Sequence, residues 1–280
     1  MGNGIREYLR AGKPLVFDGA MGTLYVQRSG SRERCELGNL DRPELVAALH
    51  RDYLEAGCRA IKTNTFAAGP SALEGDAVLS RRVIEAGVGL ALEAARPYGA
   101  WVFGDLGPVP LAGTEDPAPE WMIQADQMLD LGLTCFLVET LASDQGVEAL
   151  ARHIKDRCPE AFLIVSYAVQ PDGTTREGAL GRDLFRRTAA LGTVDAVGFN
   201  CVSGPRHLLE FIRTLDRGDT LLSVMPNAGY PTVIGDRVRY GSQPDYFGQV
   251  LAQIVRAGAD VIGGCCGTTP EHMAQAVQAL

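Results

Sequence analysis

A single (β/α)8 barrel is the fold this sequence predicts, and three observations predict it. Short β-rich runs alternate with helical stretches from one end of the chain to the other, the pattern of parallel α/β folds. The runs number eight, and 280 residues suit eight β-α units in one domain spanning 1–280 with no internal linker. No dinucleotide-binding glycine fingerprint follows the first run, which disfavours the open doubly wound sheet that the same alternation could build.

The predicted strands are 15–18, 60–65, 101–105, 135–139, 162–167, 196–200, 221–225 and 261–264. Between them the helical patterns cover 41–56, 78–95, 120–131, 144–157, 183–190, 205–215, 245–257 and 270–280. Asp41-Arg42-Pro43-Glu44 opens its helix with proline in the first turn and an acid near the N-terminus. Gly57, Gly132 and Gly258 close three others just before a strand, as glycine does at helix C-termini. Two stretches rich in Pro and Gly, 107–119 and 227–244, read as long loops on the active face.

Composition narrows the class. A formal net charge of −8 argues against a generic nucleic-acid or anionic-membrane surface. No 18-residue apolar run occurs and the first twelve residues lack a signal-peptide core, so a soluble, cytoplasmic chain is expected. Seven cysteines, an odd number in a chain this long, do not make a disulfide framework. Cys58 and Cys135 sit in apolar surroundings and read as buried thiols; Cys35 and Cys158 lie in polar segments and suggest no role.

The remaining cysteines carry the chemistry. Cys201 ends the sixth strand, and Cys265-Cys266 follow the eighth between glycines that let both sulfurs face one point. The bland alternative is two core cysteines with a vicinal disulfide. Three converging thiolates instead make a soft anionic site suited to Zn2+, with one coordination position open to a substrate. Metal coordination would ionise an incoming thiol, so nucleophilic attack by a substrate sulfur is expected.

Other unusual residues fall at the same ends of the strands, where barrel enzymes keep their catalytic groups. Asp18 and Glu139 each end an apolar strand, where an unpaired charge is costly. They are either helix caps and ion-pair partners or ligands for a substrate ammonium. Gly19, Ala20, Gly22 and Thr23 would offer N–H groups and a hydroxyl to a substrate carboxylate. Asn64 and Asp105 face the same end, as pocket lining or as supports. Asn200 and Asn227 lie beside the cysteines, and either amide oxygen could fill the open coordination position. His50, His153, His207 and His272 fall within helices and read as surface residues.

Asp18-Gly19-Ala20-Met21-Gly22-Thr23, Thr63-Asn64-Thr65-Phe66, Gly198-Phe199-Asn200-Cys201, Pro226-Asn227-Ala228-Gly229 and Gly263-Gly264-Cys265-Cys266-Gly267-Thr268 together resemble the zinc-dependent homocysteine S-methyltransferases. The match holds in order over essentially the whole chain. It implies a barrel with zinc on Cys201, Cys265 and Cys266, homocysteine bound by sulfur to zinc and by its amino group near Asp18 and Glu139, and methionine as product.

The resemblance is nearest to the homocysteine module of cobalamin-dependent methionine synthases and of bacterial fusions with methylenetetrahydrofolate reductase. Donors within the family include methylcobalamin, S-methylmethionine, S-adenosylmethionine and betaine. Ala67-Ala68 stands where betaine enzymes carry a tyrosine, which weakens betaine. Loop 172–178 is only loosely like the family's glycine- and threonine-containing loop. The expected donor is a small molecule, or a methyl group carried on a corrinoid or folate of a partner domain or chain. The alternatives are methyl transfer between a corrinoid protein or another small donor and a different thiol or selenol, and a silent barrel with structural zinc.

Overall fold

The computed structural model describes residues 2–110, 116–234 and 237–280. Eight parallel strands form the sheet: β1 (Leu15–Val16), β2 (Ala60–Lys62), β3 (Trp101–Leu106), β4 (Cys135–Leu141), β5 (Phe162–Tyr167), β6 (Ala196–Asn200), β7 (Leu221–Met225) and β10 (Val261–Ile262). The order β1-β10-β7-β6-β5-β4-β3-β2 brings first and second strands to opposite ends of the list. Those ends meet. Phe17 bridges Ala60 in parallel, with Arg59 N–H donating to Val16 O at 2.8 Å and Asp18 N–H to Ala60 O at 3.0 Å. The ring is a (β/α)8 barrel, as the alternation predicts.

Each strand buries two faces, which is why the predicted strands are nearly continuous apolar runs. In β5, Phe162 and Ile164 point into the barrel with Phe17, Phe103, Leu137 and Val261, while Leu163, Val165 and Tyr167 point out into the helical layer. This period of two fills the interior, so the barrel is packed rather than hollow.

The outer helices are α2 (Gly22–Ser29), α3 (Gly38–Asp41), α4 (Pro43–Glu55), α5 (Ala77–Ala95), α6 (Ala118–Asp130), α7 (Val147–Arg157), α8 (Gly181–Ala189), α9 (Pro205–Ile212), α10 (Pro244–Arg256) and α11 (Pro270–Ala279). Five of them carry proline in the first turn, at Pro43, Pro119, Pro205, Pro244 and Pro270. There the missing N–H costs no helical bond.

Three features differ from the sequence expectation. Gly2–Arg10 forms a helix, α1, whose Ile5 and Leu9 close the base of the barrel against Leu15, Phe17 and Phe162. Its two buried positions are four apart in an otherwise polar run, too few to announce a helix. Within the expected loop 227–244, Pro231–Ile234 (β8) and Arg237–Tyr240 (β9) pair as an antiparallel hairpin. Residues 111–115 of the other expected loop lie outside the described residues. Finally, His50 is fully buried and His272 nearly so, contrary to the surface reading. His272 Nδ1 completes a capping box with Thr269, and burial lowers the His50 pKa to about 4.

Candidate metal centre

Three sulfurs converge at the C-terminal mouth of the barrel. The Sγ atoms of Cys201, Cys265 and Cys266 lie within 4.8 Å of one another, and Cys201 Sγ is 3.8 Å from Cys266 Sγ. Ligands about 2.3 Å from a tetrahedral metal are about 3.8 Å apart, so the spacing suits zinc.

Backbone geometry creates the convergence. Cys201 and Val202 adopt left-handed φ of 58° and 53°, and Thr140 nearby has 64°. A β-branched residue in that region is rare and strained, and such strain gathers at functional sites. On the other side, Cys265 N–H donates to Pro226 O at 2.8 Å, and Ala228 N–H to Cys266 O at 2.9 Å. Gly267 has φ +79°, and a Cβ there would fall inside the Tyr240 ring. That ring belongs to β9, and its hydroxyl lies near enough to the Cys266 sulfur to lower the thiol's pKa. Thiol hydrogen bonds from Cys201 and Cys265 pull Cys266 down to about 3. Cys201 is pushed up to about 12: its bond with Cys265 works downward, but Cys266 and burial outweigh it.

A charged cluster lies next to them. Asp18, Lys62, Asp105 and Glu139 come from four adjacent strand ends, all nearly fully buried. Lys62 Nζ is 3.7 Å from Asp18 Oδ1 and 3.9 Å from Glu139 Oε1. Burial raises all three carboxyl groups, Asp18 to about 6 and Asp105 well above its ordinary value, with Lys62 opposing. Burial alone would lower Lys62, but Glu139, Asp18, Asp105 and Cys265 together hold it well above its ordinary value. Asn200 couples the cluster to the sulfurs. Its Nδ2 donates to Glu139 Oε2 and Thr140 Oγ1, both at 2.8 Å, and lies 3.9 Å from Cys265 Sγ.

The structure thus gathers Cys201, Cys265, Cys266, Asp18, Asp105, Glu139, Asn200 and Asn227 at one mouth, and it shows which polar groups there already have partners within the chain. Asn200 Oδ1 accepts from Thr140 N–H at 2.9 Å, so its nitrogen rather than its oxygen faces the sulfurs. Asn227 Oδ1, by contrast, is buried without a hydrogen-bond partner. Ala20 spends its N–H on Thr268 Oγ1 at 3.0 Å, and the Thr23 hydroxyl accepts from Gly267 N–H at 3.1 Å. The Ala20 N–H is therefore spent on the Cys265–Thr268 turn rather than offered to a carboxylate, and Thr23 braces the same turn as an acceptor. Gly19 is held under the same turn, where a Cβ would strike Thr268 and Tyr53. Asn64 gives its Nδ2 hydrogens to Cys35 O at 2.7 Å and Asn39 Oδ1 at 2.8 Å, making it a loop brace.

Two residues at the mouth escape sequence reasoning. Lys62 looks like the polar end of a strand, yet a lysine inside the run Ala60-Ile61-Lys62-Thr63 has nowhere to snorkel. Tyr240 is hidden in a segment read as loop.

Three thiols grouped at the C-terminal mouth of a closed β/α barrel make a set that could hold a metal ion. The sequence profile of the homocysteine S-methyltransferases matches residues 15–280. The chain belongs to that family. It is 32% identical to the methionine synthase of Mycobacterium tuberculosis over 95% of its own length, and it spans 24% of that longer protein. Its fold is similar to that of the Escherichia coli homocysteine methyltransferase MmuM, with TM-score 0.78 and 26% identity to the oxidized form, covering 95% of this chain and 96% of that one. The metallated form of MmuM superposes with TM-score 0.77 at 25% identity, covering 98% and 99%. No helix among the described residues is long and apolar enough to cross a membrane.

Proposed function

We propose that this chain binds Zn2+ through Cys201, Cys265 and Cys266 and methylates homocysteine to methionine. The observation that carries the proposal is the set of three sulfurs within 4.8 Å beside a buried carboxylate cluster at the barrel mouth. Zinc on three sulfurs supplies the acidity that ionises a fourth, where a free thiol near pKa 8.5 is about a few per cent ionised at neutral pH.

The rest falls to the chain. Asp18, Asp105 and Glu139 bind the substrate ammonium, and the side chain of the amino acid reaches toward Cys265. Asn200 keeps Glu139 in register with the sulfurs through its 2.8 Å bond. The substrate sulfur attacks the methyl carbon in line; the S–C bond forms as the donor's bond to that carbon breaks, and the electron pair leaves with the donor. No general base with a tuned histidine is required. Proximity and ionisation supply the rate. The likeness to methionine synthases favours a methyl group carried on a corrinoid or folate of a partner domain or chain, over betaine.

X-ray absorption at the zinc edge tests this. One zinc per chain with three sulfurs, becoming four when homocysteine is added, is expected. Four protein sulfurs unchanged by homocysteine, or protein that retains no zinc, would overturn the assignment.

A further inference from the structure

Two of the three carboxylates assigned above to the substrate ammonium already face an ammonium of the chain itself. Lys62 ends β2 with its side chain 7% exposed, 3.7 Å from Asp18 and 3.9 Å from Glu139. Both separations exceed hydrogen-bond length, so the contact is one of charge. Nor does either carboxylate need it for placement. The Lys62 backbone N–H already fixes Asp18 Oδ2 at 3.0 Å, and Asn200 Nδ2 fixes Glu139 Oε2 at 2.8 Å.

Meanwhile acceptors stand unspent. Asp18 Oδ1 and Asp105 Oδ1 are buried without a hydrogen-bond partner, and the charges of Glu139, Lys62 and Asp18 all act on Asp105. Three carboxylates around one lysine leave negative charge in excess when all are ionised, enough to hold a second cation. A substrate carboxylate, by contrast, would enter a pocket of like charge.

We infer that Lys62 is a specificity-determining residue of the thiol subsite: its ammonium competes with the substrate's for Asp18 and Glu139 and so weakens the preference for thiols that carry an amino group. The inference rests on the homocysteine reading above. Removing a unit charge a few ångströms from a binding ammonium in a buried pocket changes affinity by at least about tenfold. A thiol without the amino group gains nothing from that removal.

The test compares homocysteine with 4-sulfanylbutanoate, the same skeleton without the amino group. Each is titrated calorimetrically into zinc-loaded wild type, Lys62→Gln, Lys62→Met and Lys62→Arg. The ratio of the two dissociation constants should move at least about tenfold toward homocysteine in the neutral variants. It should stay within about twofold of wild type in Lys62→Arg, which keeps the charge. An unchanged or reversed ratio in a folded, zinc-retaining neutral variant overturns the inference. So does a tenfold rise in Lys62→Arg, which stands even where the neutral variants fail to fold. A wild-type protein that holds zinc but binds no homocysteine overturns the homocysteine reading, and the inference with it. Homocysteine binding with an unmoved ratio overturns the inference alone.

Discussion

Each end of the barrel joins carboxylates to basic side chains, and the two ends are built differently. At the base, Asp195 is saturated. Its Oδ1 takes Arg6 Nε at 2.9 Å and Nη2 at 2.6 Å, and its Oδ2 takes Lys155 Nζ at 2.8 Å and Leu163 N–H at 2.9 Å. At the mouth, Asp18 and Glu139 share Lys62 at 3.7 and 3.9 Å, and oxygens of Asp18 and Asp105 have no hydrogen-bond partner. A saturated carboxylate stabilises a fold. A buried one left incomplete costs free energy until something completes it, which is the physical mark of a place meant for a ligand.

That contrast can be broken at several points. The largest effect is expected at the sulfurs: Cys201→Ala, Cys265→Ala or Cys266→Ala should each abolish metal retention and activity, with far-UV circular dichroism unchanged. Metal analysis of the purified variants checks it, and full activity in any one of them would remove that cysteine from the site.

Next comes pH. Asp18 has a folded pKa near 6, above the 3.8 of the free carboxyl, so the folded state holds its proton longer. Stability from this group is therefore complete below about pH 4 and is lost as pH rises through 6. Asp18→Asn lacks the titration. In urea melts of metal-free protein, wild type should lose about 2 kcal/mol relative to Asp18→Asn between pH 4 and 7. Parallel pH profiles would show that Asp18 is not incompletely solvated.

Glu139→Gln should keep zinc and weaken homocysteine binding by about tenfold to a hundredfold, since it removes charge at the mouth. Asp195→Asn at the base should do the reverse, costing about 2 kcal/mol of stability while leaving homocysteine affinity unchanged. Equal losses of affinity in both would erase the distinction between the two ends. The smallest effect concerns Val202. Val202→Gly should relieve the left-handed strain at φ 53° and gain up to about 1 kcal/mol, less the entropy that glycine adds to the unfolded chain.

The strands were legible because each is apolar on both faces, and the three cysteines because glycines flank two of them and asparagine precedes the third. Strand ends were less so. β2 stops at Lys62 because the Lys62 N–H turns to the Asp18 carboxylate, a contact across 44 positions that no local pattern encodes. Lys62 itself was silent for a related reason: a lysine after two apolar residues resembles a strand terminus, and only the three carboxylates converging from other strands make it a buried charge. Asn64, Ala20 and Thr23 were found as motif residues, but their partners Asn39, Thr268 and Gly267 lie on other segments. A motif locates such residues without saying whether they face a ligand or the backbone. Tyr240 stayed hidden because its hairpin sits between glycine-bearing turns.

The helix Gly2–Arg10 seals the base with Ile5 and Leu9, and aromatic side chains fill the interior above it. The site is consequently a dead end with one door. On the function proposed above, a thiol seated on the sulfurs would lie deepest and a methyl donor approaching in line would come in behind it. Traffic would then run in a fixed sequence: acceptor first in, donor second, spent donor first out, and the methylated product last.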